Sequence, residues 1–72
     1  MERQFCLNWK VIVAEAKMRR KSLRLTQVRL AQLAGVSTPT LSRFENNEKD
    51  IQLSTVLRIL TVLGMTDREH KI

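Results

Sequence analysis

Gly35-Val36-Ser37 is a three-residue break between two short stretches of helical periodicity, and no other feature of this 72-residue chain restricts its fold so tightly. Glycine enters the left-handed conformation of a tight helix end without the steric penalty that a Cβ brings, so Gly35 ends the helix before it. Ser37 is a good N-cap, and Pro39 then falls in a first turn, where its missing N–H costs nothing. A new helix therefore starts at once. Two helices separated by so few residues cross at a steep angle. The crossing demands a small residue, which Ala31 supplies, while Leu41 and Phe44, three apart, seat the second helix. A larger residue at position 31 would push that helix away.

The periodicity continues on both sides. Asn8 is placed to cap a first helix over about residues 9–22, with Leu7 and Ile12 at the positions of a hydrophobic staple. Ile12, Val13, Ala16 and Leu23 recur along it at helical spacing. Thr26 opens a second helix over about 26–34, with Val28, Leu30, Ala31 and Ala34 inward. The third covers about 37–46 and ends in Asn46-Asn47-Glu48-Lys49-Asp50, which is polar and turn-forming. A fourth, over about 53–63, is apolar on more than one face, and Gly64 ends it. The surplus predicts a dimer contact built on the fourth helix and the terminal segments, with Val62, Met65, Phe5 and Trp9 beyond what one small core requires; Met18 and Met65 read as packing. Residues 65–72 are either a further turn of helix or irregular. The expectation is one all-α domain over residues 1–72, compact and of four to five helices. A chain so short buries only about 60% of the surface it exposes when unfolded, so a partner subunit would help it.

Composition removes whole classes of function. At 72 residues the chain is too short for a dinucleotide-binding or barrel enzyme, and it has no apolar run near the ~20 residues of a membrane span. Cys6 is the one cysteine, so no internal disulfide and no thiolate zinc cage can form. That usage, with no visible signal peptide, points to the reducing cytoplasm. His70 stands alone near a charged end. With no Cys/His cluster and no Ser–His–acid set there is nothing from which to build an active site, so no enzyme, cofactor or metal is expected. The distribution of charge says more. Seven basic residues and no acidic one lie between positions 16 and 44 (Lys17, Arg19, Arg20, Lys21, Arg24, Arg29, Arg43), against six basic and seven acidic elsewhere. Such a block attracts a polyanion and releases its counterions on contact. On charge alone, a solvated helix face remains an open alternative.

The run TQVRLAQLAGVSTPTLSRFENN resembles the helix-turn-helix of the phage-repressor, Cro and XRE family, through Thr26-Gln27, Leu30-Ala31, Gly35-Val36-Ser37 and Leu41-Ser42-Arg43-Phe44-Glu45. LSTVLRILTVLGM resembles the helix that follows in that family, so the likeness covers roughly residues 10–65. A narrower resemblance, from Phe44 to Gly64, is to DNA-binding antitoxins.

The resemblance implies a repressor-like fold whose third helix enters the major groove of DNA. Ser37, Thr38, Pro39, Thr40 and Arg43 would then face base edges. Arg43 suits a guanine O6/N7 pair, which discriminates about ten- to a hundredfold. Pro39 offers apolar contact alone, where the family often places a long polar reader. Gln27 and the start of the second helix would meet a phosphate, with Thr26 beside them. Asn46, Asn47 and Lys49 would meet the opposite phosphate ridge, and Arg24 and Arg29 join them on charge alone. Glu45 would pair with Arg20 structurally, which withdraws Arg20 from DNA. Where relatives have glycine, Arg24 stands; either that turn is built differently or a non-glycine residue takes positive φ at a cost of ~1 kcal/mol. Trp9 reads as a core or interface residue, and Cys6 as inert, with an intersubunit redox disulfide as the alternative. The function implied is a sequence-specific double-stranded DNA-binding regulator, a dimeric repressor on an inverted repeat. The alternative is an antitoxin that holds a toxin and autoregulates its operon.

Overall fold

The structure, a computed structural model, describes residues 8–66. Phe5, Cys6, Leu7 and His70 lie outside the described residues, and with them the Leu7–Ile12 staple and a fifth helix in the tail. Among the described residues four helices follow one another: α1 (Trp9–Ser22), α2 (Gln27–Ala34), α3 (Thr38–Glu45) and α4 (Leu53–Val62). Thr26 and Ser37 stand just ahead of α2 and α3 as their caps, and Asn46 and Leu63 just after α3 and α4. The Thr26 hydroxyl accepts from the Arg29 N–H at 3.0 Å and the Ser37 hydroxyl from the Thr40 N–H at 3.2 Å. Asn8 accepts in the same way from the Lys10 N–H at 3.0 Å. Each cap stabilises its helix by ~1 kcal/mol.

All four helices end in one manner. A backbone N–H reaches back five residues to a carbonyl: Leu25 to Arg20 (3.0 Å), Val36 to Ala31 (3.0 Å), Glu48 to Arg43 (3.1 Å) and Met65 to Leu60 (2.9 Å). This closure requires a left-handed residue immediately before the donor. Those residues are Arg24 (φ 61°), Gly35 (φ 72°), Asn47 (φ 68°) and Gly64 (φ 72°). Two are glycines, and asparagine tolerates the conformation. Arg24 carries a full side chain into it, so the first turn is built like the others and bears the strain.

The core joins Val13 and Ala16 of α1, Leu30, Ala31 and Ala34 of α2, Leu41 and Phe44 of α3, and Val56, Ile59 and Leu63 of the α4 region. Leu30, Leu41, Phe44 and Ile59 are fully buried, each stabilising the fold by about 1.5–3 kcal/mol on the area scale. α2 packs against both α3 and α4, while α1 packs against α3. Trp9 meets Phe44 edge to face, centroids 5.6 Å apart.

Four expectations of burial need correcting. Val28 is exposed, because the buried face of α2 is centred on Leu30, Ala31 and Ala34, and a residue two before Leu30 lies about 200° round the helix. Met18 is exposed for the same reason, two residues beyond the buried Ala16. Leu23 is exposed at the C-cap of α1, past its last buried turn. Val62, expected as surplus, packs against the core, as does Met65 in keeping with its reading as packing; the surplus apolar surface of α4 is Leu53 and Leu57. Among the described residues no helix is long and apolar enough to cross a membrane.

Candidate nucleic-acid interface

α3 rests on the core through Leu41 and Phe44, so its other side is presented outward. Ser37, Pro39 and Arg43 are exposed there, and Thr38 and Thr40 half-buried. Ser37 does more than cap. Its hydroxyl donates to Thr40 Oγ1 at 2.7 Å, which leaves the Thr40 hydroxyl proton to be donated elsewhere. The two small hydroxyls thus form one preset donor at the tip of the helix.

Under α3 lies a buried polar hub. Glu45 is 4% exposed, and its Oε2 accepts from Arg20 Nε at 2.7 Å. Its Oε1 accepts from Arg20 Nη2 at 3.1 Å and from Gln27 Nε2 at 2.9 Å. Arg20 Nη1 donates to the Leu25 carbonyl at 2.7 Å. Three helices meet in these bonds. The forked guanidinium matches the carboxylate in two parallel contacts, a geometry lysine cannot reproduce. Arg20 is therefore fully engaged inside the protein. Gln27, expected to aim its amide at a phosphate, gives one of its two amide protons to Glu45; the other remains to be offered at the start of α2.

Arg43 departs furthest from expectation. It is exposed, yet its guanidinium turns back onto the α3–α4 loop rather than standing out as a base reader. Nε donates to Glu48 Oε1 at 2.9 Å, and Nη2 to the Asp50 carbonyl at 3.0 Å. The Glu48 hydrogen bond, then its charge, and last the charge of Asp50 raise the pKa of Arg43 above its ordinary value, against a small opposing desolvation.

The expected phosphate ligands are more dispersed. Arg24, Arg29, Asn46, Asn47 and Lys49 are all exposed. Arg29 donates to Gln32 Oε1 at 3.2 Å, one turn along α2. Among the described residues, the side chains of Arg24 and Lys49 form no ion pair. Two residues of consequence were not expected. Glu48 reads in sequence as a turn residue, and Arg19 as one more cation of the basic block. Arg19 instead pairs with Glu15 at 2.8 Å and donates to the Leu63 and Gly64 carbonyls at 3.3 and 3.1 Å. It holds α1 to the negative end of α4, where a cation is favourable. The Glu15–Arg19 spacing of four was a visible signal; the reach to Leu63 was not. No group of three or more His, Cys, Asp or Glu side chains among the described residues could hold a metal ion.

A helix presented by a short left-handed turn, steadied from below and edged with cations, defines a helix-turn-helix domain. The family described as "Helix-turn-helix" matches residues 17–70. The chain belongs to that family, in the phage-repressor and Cro (XRE) type which its motif resembles. A relative from Haemophilus influenzae, described as an "Uncharacterized HTH-type transcriptional regulator", is 34% identical over 55 residues. That stretch is 76% of this chain and 56% of the relative, so the chain spans little more than half of it. Two solved structures, "MDT Protein" and "Structure of HipA-HipB-O2-O3 complex", are each similar at 30% identity and a TM-score of 0.76. Both comparisons cover 89% of this chain and 90% of the other.

Proposed function

We propose that this protein is a sequence-specific double-stranded DNA-binding regulator that acts as a dimeric repressor on an inverted repeat. One observation carries the reading: α3 is seated by Leu41 and Phe44, which leaves Pro39 and Arg43 exposed on its outward side, Ser37 exposed at its tip, and Thr38 and Thr40 half-buried on its flanks. In the major groove the Thr40 hydroxyl, the Thr38 methyl group and the apolar ring of Pro39 suit a thymine edge or a phosphate. Arg43 suits guanine once it leaves Glu48. Gln27 and the first turn of α2, with Thr26, Arg24 and Arg29 beside them, fix the domain on one phosphate ridge; Asn46, Asn47 and Lys49 serve the other. Two copies would place their recognition helices about 34 Å apart, one turn of DNA. Dimerisation through α4 fits its exposed Leu53 and Leu57, which edge an apolar groove of about 320 Å³ with Trp9 and Ile12. Its place would be the cytoplasm.

Selection from random duplexes tests this directly. A palindromic consensus is expected, and enrichment of no sequence overturns the reading. Arg43→Ala should relax preference at one position per half-site, while Gln27→Ala weakens all sites evenly. Equal behaviour of the two would overturn the division into reader and positioner.

A second reading, an antitoxin that also holds a protein partner, is supported by the similarity to a HipA-HipB-O2-O3 complex. Co-expression with the product of the adjacent gene, followed by size-exclusion chromatography, separates the two. A stable hetero-complex favours the antitoxin; a homodimer that ignores its neighbour favours the repressor.

A further inference from the structure

Arg43 and Glu48 are bonded to each other twice. The Glu48 N–H closes α3 on the Arg43 carbonyl at 3.1 Å, and the Glu48 carboxylate accepts from Arg43 Nε at 2.9 Å. The left-handed Asn47 (φ 68°) between them makes both bonds possible by turning the chain back under the helix. The helix end thus brings the two side chains within reach of each other. A third bond, Nη2 to the Asp50 carbonyl at 3.0 Å, completes the hold. Nε and Nη2 form the side-on edge of the guanidinium, one of the edges an arginine uses to contact two acceptors at once. That edge is occupied.

We propose that Glu48 is a positioning residue that latches Arg43 against the α3–α4 loop and so sets how strongly the protein discriminates at one base pair. This rests on the reading of α3 as a DNA-reading helix. At a site with guanine beneath it, Arg43 leaves Glu48 and gains the base. At a site with another base there, Arg43 stays latched and loses nothing. The measured preference for guanine is the base contact less the latch. Glu48 therefore buffers this position, so that sites differing there are bound more alike than an unlatched arginine would bind them.

The test is a double-mutant cycle on wild type, Glu48→Gln, Arg43→Ala and the double variant, each titrated with the selected duplex and with one changed only at the base pair assigned to Arg43. Neutralising Glu48 raises affinity for any DNA by removing a negative charge, and the Arg43→Ala background measures that general gain. In the Arg43 background Glu48→Gln should tighten the selected site by a further two- to fivefold, about what an exposed ion pair is worth. The changed site should show no such extra gain, so preference at that base pair rises by the same factor. Equal gains in both backgrounds, or at both sites, would overturn the latch and leave DNA reading intact. A wild-type protein that selects no sequence would overturn both together. The Arg43 Nε–H resonance, shifted in wild type and moved toward a free side chain in Glu48→Ala, which has no acceptor, reads the bond without DNA. An Nε–H unaffected by the substitution would also overturn the latch.

Discussion

Arg24 and Gly35 occupy equivalent places at the ends of α1 and α2, and exchanging their chemistry makes a matched experiment. Both are left-handed, at φ 61° and 72°, and each precedes a backbone bond of 3.0 Å that closes its helix. An L residue in this conformation costs about 1–2 kcal/mol, and glycine returns about 0.4–1 of that through the greater entropy of the unfolded chain. Arg24→Gly should therefore stabilise by ~0.5–1 kcal/mol net, on the same two magnitudes. Gly35→Ala should destabilise by a similar amount, and no steric term complicates it: a Cβ on Gly35 meets nothing within 4 Å. Arg24→Ala is the control. It removes the charge beside Arg19, Arg20 and Lys21 yet keeps the Cβ, so the difference between the alanine and glycine variants isolates the backbone. Urea unfolding followed by helical circular dichroism, at one fixed protein concentration, reads all four proteins. Midpoints should order as Arg24→Gly, then Arg24→Ala, with Gly35→Ala below wild type and slopes unchanged. For a domain of this size ~1 kcal/mol is about 4–8 °C in Tm. If the Arg24 glycine and alanine variants unfold together, the first turn is not strained and the reasoning fails.

Other perturbations test the hub, the core and the charge. Glu45→Ala leaves Arg20, 12% exposed, with its charge uncompensated; a loss of about 3–5 kcal/mol is expected by the same unfolding assay. Leu41→Ala, at a fully buried site, should cost about 2–5 kcal/mol, whereas Val28→Ser on the exposed face of α2 should stay within about 0.5. In DNA titrations against salt, Arg29→Ala and Arg24→Ala should each reduce the log–log slope by about 0.9. Arg19→Ala, whose guanidinium is tied to Glu15 and α4, should leave that slope in place, so an equal reduction would show that it meets phosphate after all.

The helices were legible because their ends are chemical. Asn8, Thr26 and Ser37 announce starts, Gly35 and Gly64 announce stops, and Leu41 and Phe44 at a spacing of three leave one face for the core. Errors collected where hydrophobicity was read without an angle. Val28 and Met18 are apolar residues on short helices, but their faces are set by neighbours two positions away, and apolarity alone does not say which side of a helix is covered. The first turn was harder still. No sequence rule marks Arg24 as left-handed, because arginine rarely is; only the likeness to chains with glycine at that place raised the question, and the backbone answered it.

The basic block is where sequence and structure part most usefully. Counted along the chain it is seven cations with no acid among them, and each could serve a phosphate. In three dimensions carboxylates from outside or at the edge of that block reach in: Glu45 takes Arg20, Glu15 takes Arg19, and Glu48 takes Arg43. These engagements differ in kind. Arg20 is nearly buried and tied to Glu45 and the Leu25 carbonyl, a strut beneath α3. Arg19 is half-exposed and anchors α4. Arg43 is exposed, and so can be drawn away by a better acceptor. A linear charge count cannot make that distinction, since what separates a strut from a reader is solvent access to the pair, and access is set by which carboxylate the fold brings to which arginine. Arg24 then gains its meaning. Its cation sits on a left-handed residue where the strain argument favours glycine, so if Arg24→Gly stabilises the fold and weakens DNA binding together, the proposed phosphate contact accounts for the arginine.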